Sequence, residues 1–202
     1  MLTLLDDPIS GNGYKIRLLL AFLDTPFTYK TYSVLNAETR TPEFMAISPN
    51  GKIPVLVLED GTVLPESNAI LNYLAAGTPY LPNDRLHHAQ VLQWMFWEQY
   101  SHEPNIATLR FWNHLPSLDD VQKAQVPGKR ANGLAALKLM NDHLSKHDWF
   151  VAGMPTIADI ALFAYTHVAE EGDFSLSDYP AVQAWITRIE GLPGFVAMDV
   201  TA

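Results

Sequence analysis

Apolar and polar positions alternate along the chain in two rhythms that change near residue 80. Residues 2–5 (Leu-Thr-Leu-Leu) read as a short buried strand, broken by Pro8-Ile9-Ser10-Gly11-Asn12-Gly13. From Tyr14 the spacing of Ile16, Leu19, Leu20 and Leu23 predicts a helix. Residues 28–35 carry β-branched and aromatic residues (Thr28, Tyr29, Thr31, Tyr32, Val34) and predict a strand. A short helix is expected from Pro42, proline being at home in a first turn. The run Val55-Leu-Val-Leu58, the turn Glu59-Asp60-Gly61 and Thr62-Val-Leu64 predict a hairpin. Ser67 then opens a helix over Asn68 to Ala76, with Ile70, Leu71 and Leu74 on one face. The order β-α-β-α-β-β-α implies one mixed sheet with helices packed on it.

Residues 78–84, around Pro79 and Pro82, read as a linker, and no strand pattern follows them. Residues 85–113 form a long helical pattern rich in aromatics, bent near Pro104. Residues 119–146 form another, weakened at Pro127-Gly128; Thr156 to Ala169 and Tyr179 to Ile189 give two more. The fold class is therefore α+β: a sheet domain over residues 1–77, a linker over 78–84, and an all-helical domain over 85–202.

Composition narrows the function. The 202 residues are 48 % apolar and 17 % charged, an ordinary globular balance. Thirteen Lys and Arg against twenty-two Asp and Glu leave a net charge of −9, which argues against nucleic acid or an anionic membrane as partner. An anionic ligand would have to be held by local donors and helix N-termini. The chain has no cysteine, which excludes disulfides, thiolate metal sites and a thiol nucleophile. Met1 to Asp7 turns acidic with no basic start, and the apolar run Leu18 to Leu23 is far too short to span a membrane. A soluble, cytoplasmic protein is expected.

Three short motifs bear on chemistry. Ser10-Gly-Asn12-Gly13 joins the first strand to the first helix, placing a hydroxyl, an amide and backbone N–H groups at a helix start. It reads either as a plain cap with turn glycines or as a site for a thiolate or oxyanion. A dinucleotide fingerprint is rejected, because Ile16 stands where the third glycine belongs and Tyr32-Ser-Val34 offers no ribose carboxylate. In Lys52-Ile53-Pro54 the proline must begin a strand, since it cannot donate to a ladder. The dipeptide alone favours a trans bond, cis being about 5–6 % of X–Pro bonds. A cis bond would present the Ile53 backbone to an extended, peptide-like ligand. Pro65-Glu66-Ser67-Asn68 reads as an N-cap at Ser67, or as a receptor for a carboxylate with Glu66 meeting an ammonium. His143 and His147, four apart on a helix, lack a third ligand, and no metal is expected.

The ordered set of Ser10-x-Asn12, Ser48-Pro-Asn-Gly-Lys-Ile-Pro54, Glu66-Ser67 and Thr156-Ile-Ala-Asp159 resembles the cytosolic glutathione transferase family over essentially the whole chain, in its theta-like and bacterial nu-like branches. The resemblance implies a thioredoxin-like first domain that binds glutathione as co-substrate, and a helical domain lining the second-substrate pocket. It makes Pro54 a cis-proline and Ile53 the residue whose backbone pairs with the cysteinyl part. Glu66 and Ser67 would hold the γ-glutamyl end, and Lys52 with Arg40 the glycine carboxylate. Ser10 or Asn12 would hydrogen-bond the thiolate, and Tyr100, Phe111 and Trp112 are candidates for the pocket of a hydrophobic electrophile. A homodimer and a role in detoxification are further expectations. The Thr156–Asp159 box would be a folding element, Thr156 capping the helix and Asp159 reaching back to it. Rival readings are a glutathione-dependent disulfide or peroxide reductase, a non-catalytic scaffold of the same shape, and, more weakly, an isomerase or dehalogenase.

Overall fold

The computed structural model describes residues 1–200, which fall into two compact units. The first joins Met1–Ala76 to the segment that begins at Leu192; the second is Gly77–Gly191.

In the first unit, β1 (Leu2–Asp6), β2 (Phe27–Thr31), β3 (Val55–Val57) and β4 (Val63–Pro65) form one mixed sheet in the order β2-β1-β3-β4. β1 runs parallel to β2 and antiparallel to β3, and β3 is antiparallel to β4. Helices α1 (Gly11–Phe22), α2 (Pro42–Ile47) and α3 (Ser67–Ala75) complete the unit. Leu4, Leu5, Val55 and Leu56 of the sheet are buried together with Ile16, Leu18, Leu19, Leu20, Ile70 and Leu71 of the helices. The sheet-and-helix order expected from the hydrophobic pattern is the observed one.

Helix α1 starts at Gly11, three residues before the expected Tyr14. Ser10 caps it by accepting the Gly13 N–H at 3.1 Å. The glycines that read as a turn lie within its first turn. Gly13 is required there: a Cβ at that position would lie 1.6 Å from Asp6 Oδ1. β2 stops at Thr31: Tyr32 N–H still donates to the Asp6 carbonyl of β1, but carboxylates capture the two amides after it. Glu38 accepts from Ser33 N–H and Asp7 from Val34 N–H, drawing the chain off the sheet. Ser67 is the first residue inside α3 and not its cap. That position falls to Glu66, a non-glycine residue at φ 71° whose side chain makes no capping bond.

The second unit is helical: α4 (Arg85–Trp97), α5 (Glu103–Asn113), α6 (Asp120–Leu144), α7 (Ile157–Thr166) and α8 (Pro180–Glu190). The bend expected near Pro104 is a π-helical run, Glu98–His102, between α4 and α5. Pro104 lacks an N–H, and the widened turn before it absorbs the missing bond. α6 passes through Pro127 without breaking. Every residue of α7 is buried. Its start is tied down by Asp159, which accepts from Thr156 N–H and Oγ1, Phe150 N–H and Trp185 Nε1 at 2.9–3.1 Å. Among the described residues no helix is long and apolar enough to cross a membrane.

Candidate functional site

Strand register brings the three motifs of the first unit to one end of the sheet. Val55, the first residue of β3, pairs with Leu5 on one side and Pro65 on the other. Pro54, one step earlier, therefore lies level with the exits of β1 and β4. β1 exits toward Ser10 and α1; β4 exits toward Glu66 and α3. The Ile53–Pro54 bond is cis.

Two helix starts meet at this end. The Ser67 hydroxyl donates to Asn12 Oδ1 at 3.2 Å, linking the first turns of α3 and α1. One turn further along α1, the Lys15 ammonium donates to Asn68 Oδ1 at 3.4 Å and has no solvent exposure. Ser10 Oγ accepts from Gly13, so its O–H proton remains as a donor for a ligand atom. Backbone N–H groups in the first turns of both helices add positive potential. Glu66 stands between Pro65 and Ser67 in a backbone conformation that costs a non-glycine residue of order 1–3 kcal/mol. Such strain gathers at binding sites.

Of the two remaining basic candidates, neither makes a side-chain bond to Asn12 or Ser67 among the described residues. Arg40 donates to the Asn50 carbonyl at 3.3 Å, across Gly51. Gly51 has φ 61°, and a Cβ there would lie 2.5 Å from the guanidinium. Lys52, the next residue, is exposed.

Beneath the Ser10 turn lies a charged network that was not singled out in the sequence. Asp6 is wholly buried and pairs with Arg17 at 3.2 Å, while Tyr29 donates to the same oxygen at 3.4 Å. Its other oxygen has no hydrogen-bond partner among the described residues. Burial pushes the Asp6 carboxyl up to about 7, against the pull of Arg17. Burial likewise raises the Tyr29 hydroxyl. Asp7 accepts from Ile9 N–H and Val34 N–H, holding the turn at both ends. Lys15 and Arg17 flanking Ile16 in an otherwise apolar helix were the available signal, since buried cations are almost always paired.

In the second unit, Tyr100 lies in the π-helical run and is 88 % exposed. Phe111 and Trp112 are half-buried on the last turns of α5, with the Lys129 ammonium 5.6 Å from the Trp112 ring. No ring contact joins Tyr100 to either of them among the described residues. His143 and His147 stack at 4.6 Å. Burial holds the His143 imidazole below its usual range.

Comparison with known proteins covers both units. Residues 9–76 match the family model described as the glutathione S-transferase N-terminal domain, and residues 95–193 the glutathione S-transferase C-terminal domain. A solved structure from Rhodopseudomonas palustris is 47 % identical with a TM-score of 0.94, covering 100 % of this chain and 91 % of that one. A glutathione S-transferase structure from Pseudomonas fluorescens is 47 % identical with a TM-score of 0.93, covering 98 % of each chain. The disulfide-bond oxidoreductase YfcG of Escherichia coli K12 is 30 % identical over 192 residues, which is 90 % of this chain and 87 % of the relative.

Proposed function

The chain belongs to the glutathione S-transferase family, and from that premise we propose that it binds glutathione at the sheet end described above and stabilises its thiolate for attack on a hydrophobic electrophile. The observation that carries this reading is the Asn12–Ser67 bond, which joins the starts of α1 and α3 beside the cis peptide at Pro54. A tripeptide with two carboxylates and a thiol suits such a place. The N–H groups at the start of α3 would receive a carboxylate, the Ser67 hydroxyl turning from Asn12 to donate to it, and Glu66 would meet an ammonium. The Ile53 backbone precedes the β3 ladder and offers a peptide its strand-addition partner. Lys52, with Arg40 on the neighbouring turn, supplies charge for the second carboxylate.

The chemistry asked of the protein is modest. The Ser10 O–H, the Asn12 amide and the α1 start favour the charged form of the sulfur and lower its pKa. The thiol proton leaves to solvent. The sulfur lone pair then forms a C–S bond as the electrophile expels its leaving group, or as an activated alkene takes a proton. Tyr100, Phe111 and Trp112 are proposed to line the electrophile's pocket. The test is the pH dependence of kcat/KM with an activated aryl halide. Replacing Ser10 and Asn12 together by alanine is expected to raise the apparent thiol pKa by about one unit or more, which costs about tenfold in rate below it. A profile identical to that of the parent overturns the role.

A second reading is favoured by the likeness to a disulfide-bond oxidoreductase. Here the bound thiolate attacks a disulfide, a second glutathione resolves the mixed disulfide, and glutathione disulfide leaves with two product thiols. Comparing rates with an aryl halide and with a small glutathione mixed disulfide separates the two. Retention on immobilised glutathione with neither activity would favour a scaffold. A cytoplasmic homodimer serving detoxification completes the proposal; light scattering at twice the chain mass is the expected result for the dimer.

A further inference from the structure

We propose that Arg17 is a positioning residue for the thiol site, holding the turn that delivers Ser10 while itself locked by residues 196–200. This rests on the reading that Ser10 meets the glutathione sulfur.

The Arg17 side chain is 2 % exposed and spends its fork on four acceptors. Nε donates to Asp6 Oδ2 at 3.2 Å, and Nη2 to the Pro8 carbonyl at 3.0 Å. Nη1 is shared between the carbonyls of Met198 at 2.7 Å and Val200 at 3.2 Å. The rings of Tyr14 and Tyr29 lie 5.4 and 6.0 Å from the guanidinium carbon. Tyr14, three residues earlier on the same face of α1, donates its hydroxyl to the Val196 carbonyl at 2.7 Å. Two α1 side chains thus grip three carbonyls of one short segment.

The bond to Pro8 connects this grip to the chemistry. Pro8 lies two residues before Ser10, in a turn closed by Ser10 N–H donating to the Asp7 carbonyl at 2.8 Å. With Asp7 fixing Ile9 and Val34 from outside, Arg17 fixes the turn from inside. A planar guanidinium reaches all four acceptors at once; an ammonium cannot, having a single point from which to donate. The carbonyls of residues 198 and 200 leave the guanidinium one orientation, and that orientation sets where the Pro8 carbonyl, and then the Ser10 hydroxyl, stands. Misplacement of a catalytic group by about 1 Å can cost about 100-fold.

The experiment uses Arg17→Lys, which keeps a cation beside Asp6, and a chain ending at Ala197, which keeps the Asp6–Arg17 pair but removes both carbonyl acceptors. Each is made alone and in a Ser10→Ala background, with thermal melts as a control of folding. The readouts are thiolate absorbance of bound glutathione against pH, and kcat and KM with an activated aryl halide. Both single variants are expected to raise the bound thiol pKa by about half a unit or more and to lower kcat several-fold, with KM for glutathione changed less than twofold. In the Ser10→Ala background these effects should vanish. A folded variant with unshifted thiol pKa overturns the proposal, as does a shift that persists without the Ser10 hydroxyl. If Ser10→Ala alone leaves the pKa unchanged, the reading of Ser10 falls, and the positioning role with it.

Discussion

At position 13 a single hydrogen stands where any other residue would drive a carbon into the Asp6 carboxyl. Gly13→Ala should therefore act on the Asp6–Arg17 pair as well as on α1, and a destabilisation of about 2 kcal/mol or more is expected from denaturant melts. Asp6 also predicts a pH effect. Its carboxyl titrates at about 7 in the folded chain against an ordinary 3.8. Between those values the folded chain holds a proton that the unfolded chain has released. Its contribution to stability is thus complete below about pH 4, is lost as pH rises to 7, and is level beyond. His167, lowered to about 4 by burial, slopes the other way between pH 4 and 6.5. The clean measurement is accordingly a difference: the Tm of Asp6→Asn relative to the parent should rise from pH 4 to pH 7. A difference independent of pH would refute the assignment. Single residues were unevenly legible. Ser10, Asn12, Pro54 and Ser67 stand at or beside the starts of elements, where their types single them out in the sequence. Asp6 and Arg17 are separated by a strand end and a helix start, and only the fold makes them neighbours.

Among elements, helix starts give the sharpest comparison. α6 and α7 both begin with a capping box, Asp119 with Gln122 and Thr156 with Asp159. The first is exposed; the second is buried, and burial lifts Asp159 to about 6 although four donors point at it. Asp119→Ala should cost about 1 kcal/mol. Asp159→Ala orphans buried donors in three segments and should cost about 3 kcal/mol or more. Equal losses in parallel melts would show that burial adds nothing to the motif. Most elements were readable because strands and amphipathic helices carry periods of 2 and 3.6. The exceptions have local causes. Two glycines hid the beginning of α1, although one of them is there for the Asp6 carboxyl. β2 ended early because Glu38 and Asp7 took the amides of Ser33 and Val34. The π-helical run is a departure in hydrogen bonding that leaves only Pro104 as a trace.

For the whole molecule, the complete lack of cysteine has a direct consequence. Treatment with a thiol-alkylating reagent, followed by its removal, should leave activity intact, and oxidised glutathione should add no mass to the intact protein. A mass gain of one glutathionyl group would mean covalent chemistry on some other side chain. At this scale the order of sheet and helices was plain from the sequence, while the return of the segment after Leu192 to the first unit was not. Three of that segment's carbonyls are gripped by Tyr14 and Arg17, and a carbonyl is a group every residue possesses and no sequence pattern marks.

Its return also bears on biosynthesis. A ribosome that has translated as far as residue 191 has made both helix starts and every strand, yet Arg17 and Tyr14 still await the oxygens of residues 196–200. The unit begun by Met1–Ala76 therefore reaches its final form only after Gly77–Gly191 has been synthesised, and maturation of the nascent chain is timed by the emergence of a stretch 181–183 codons downstream of the residues it completes.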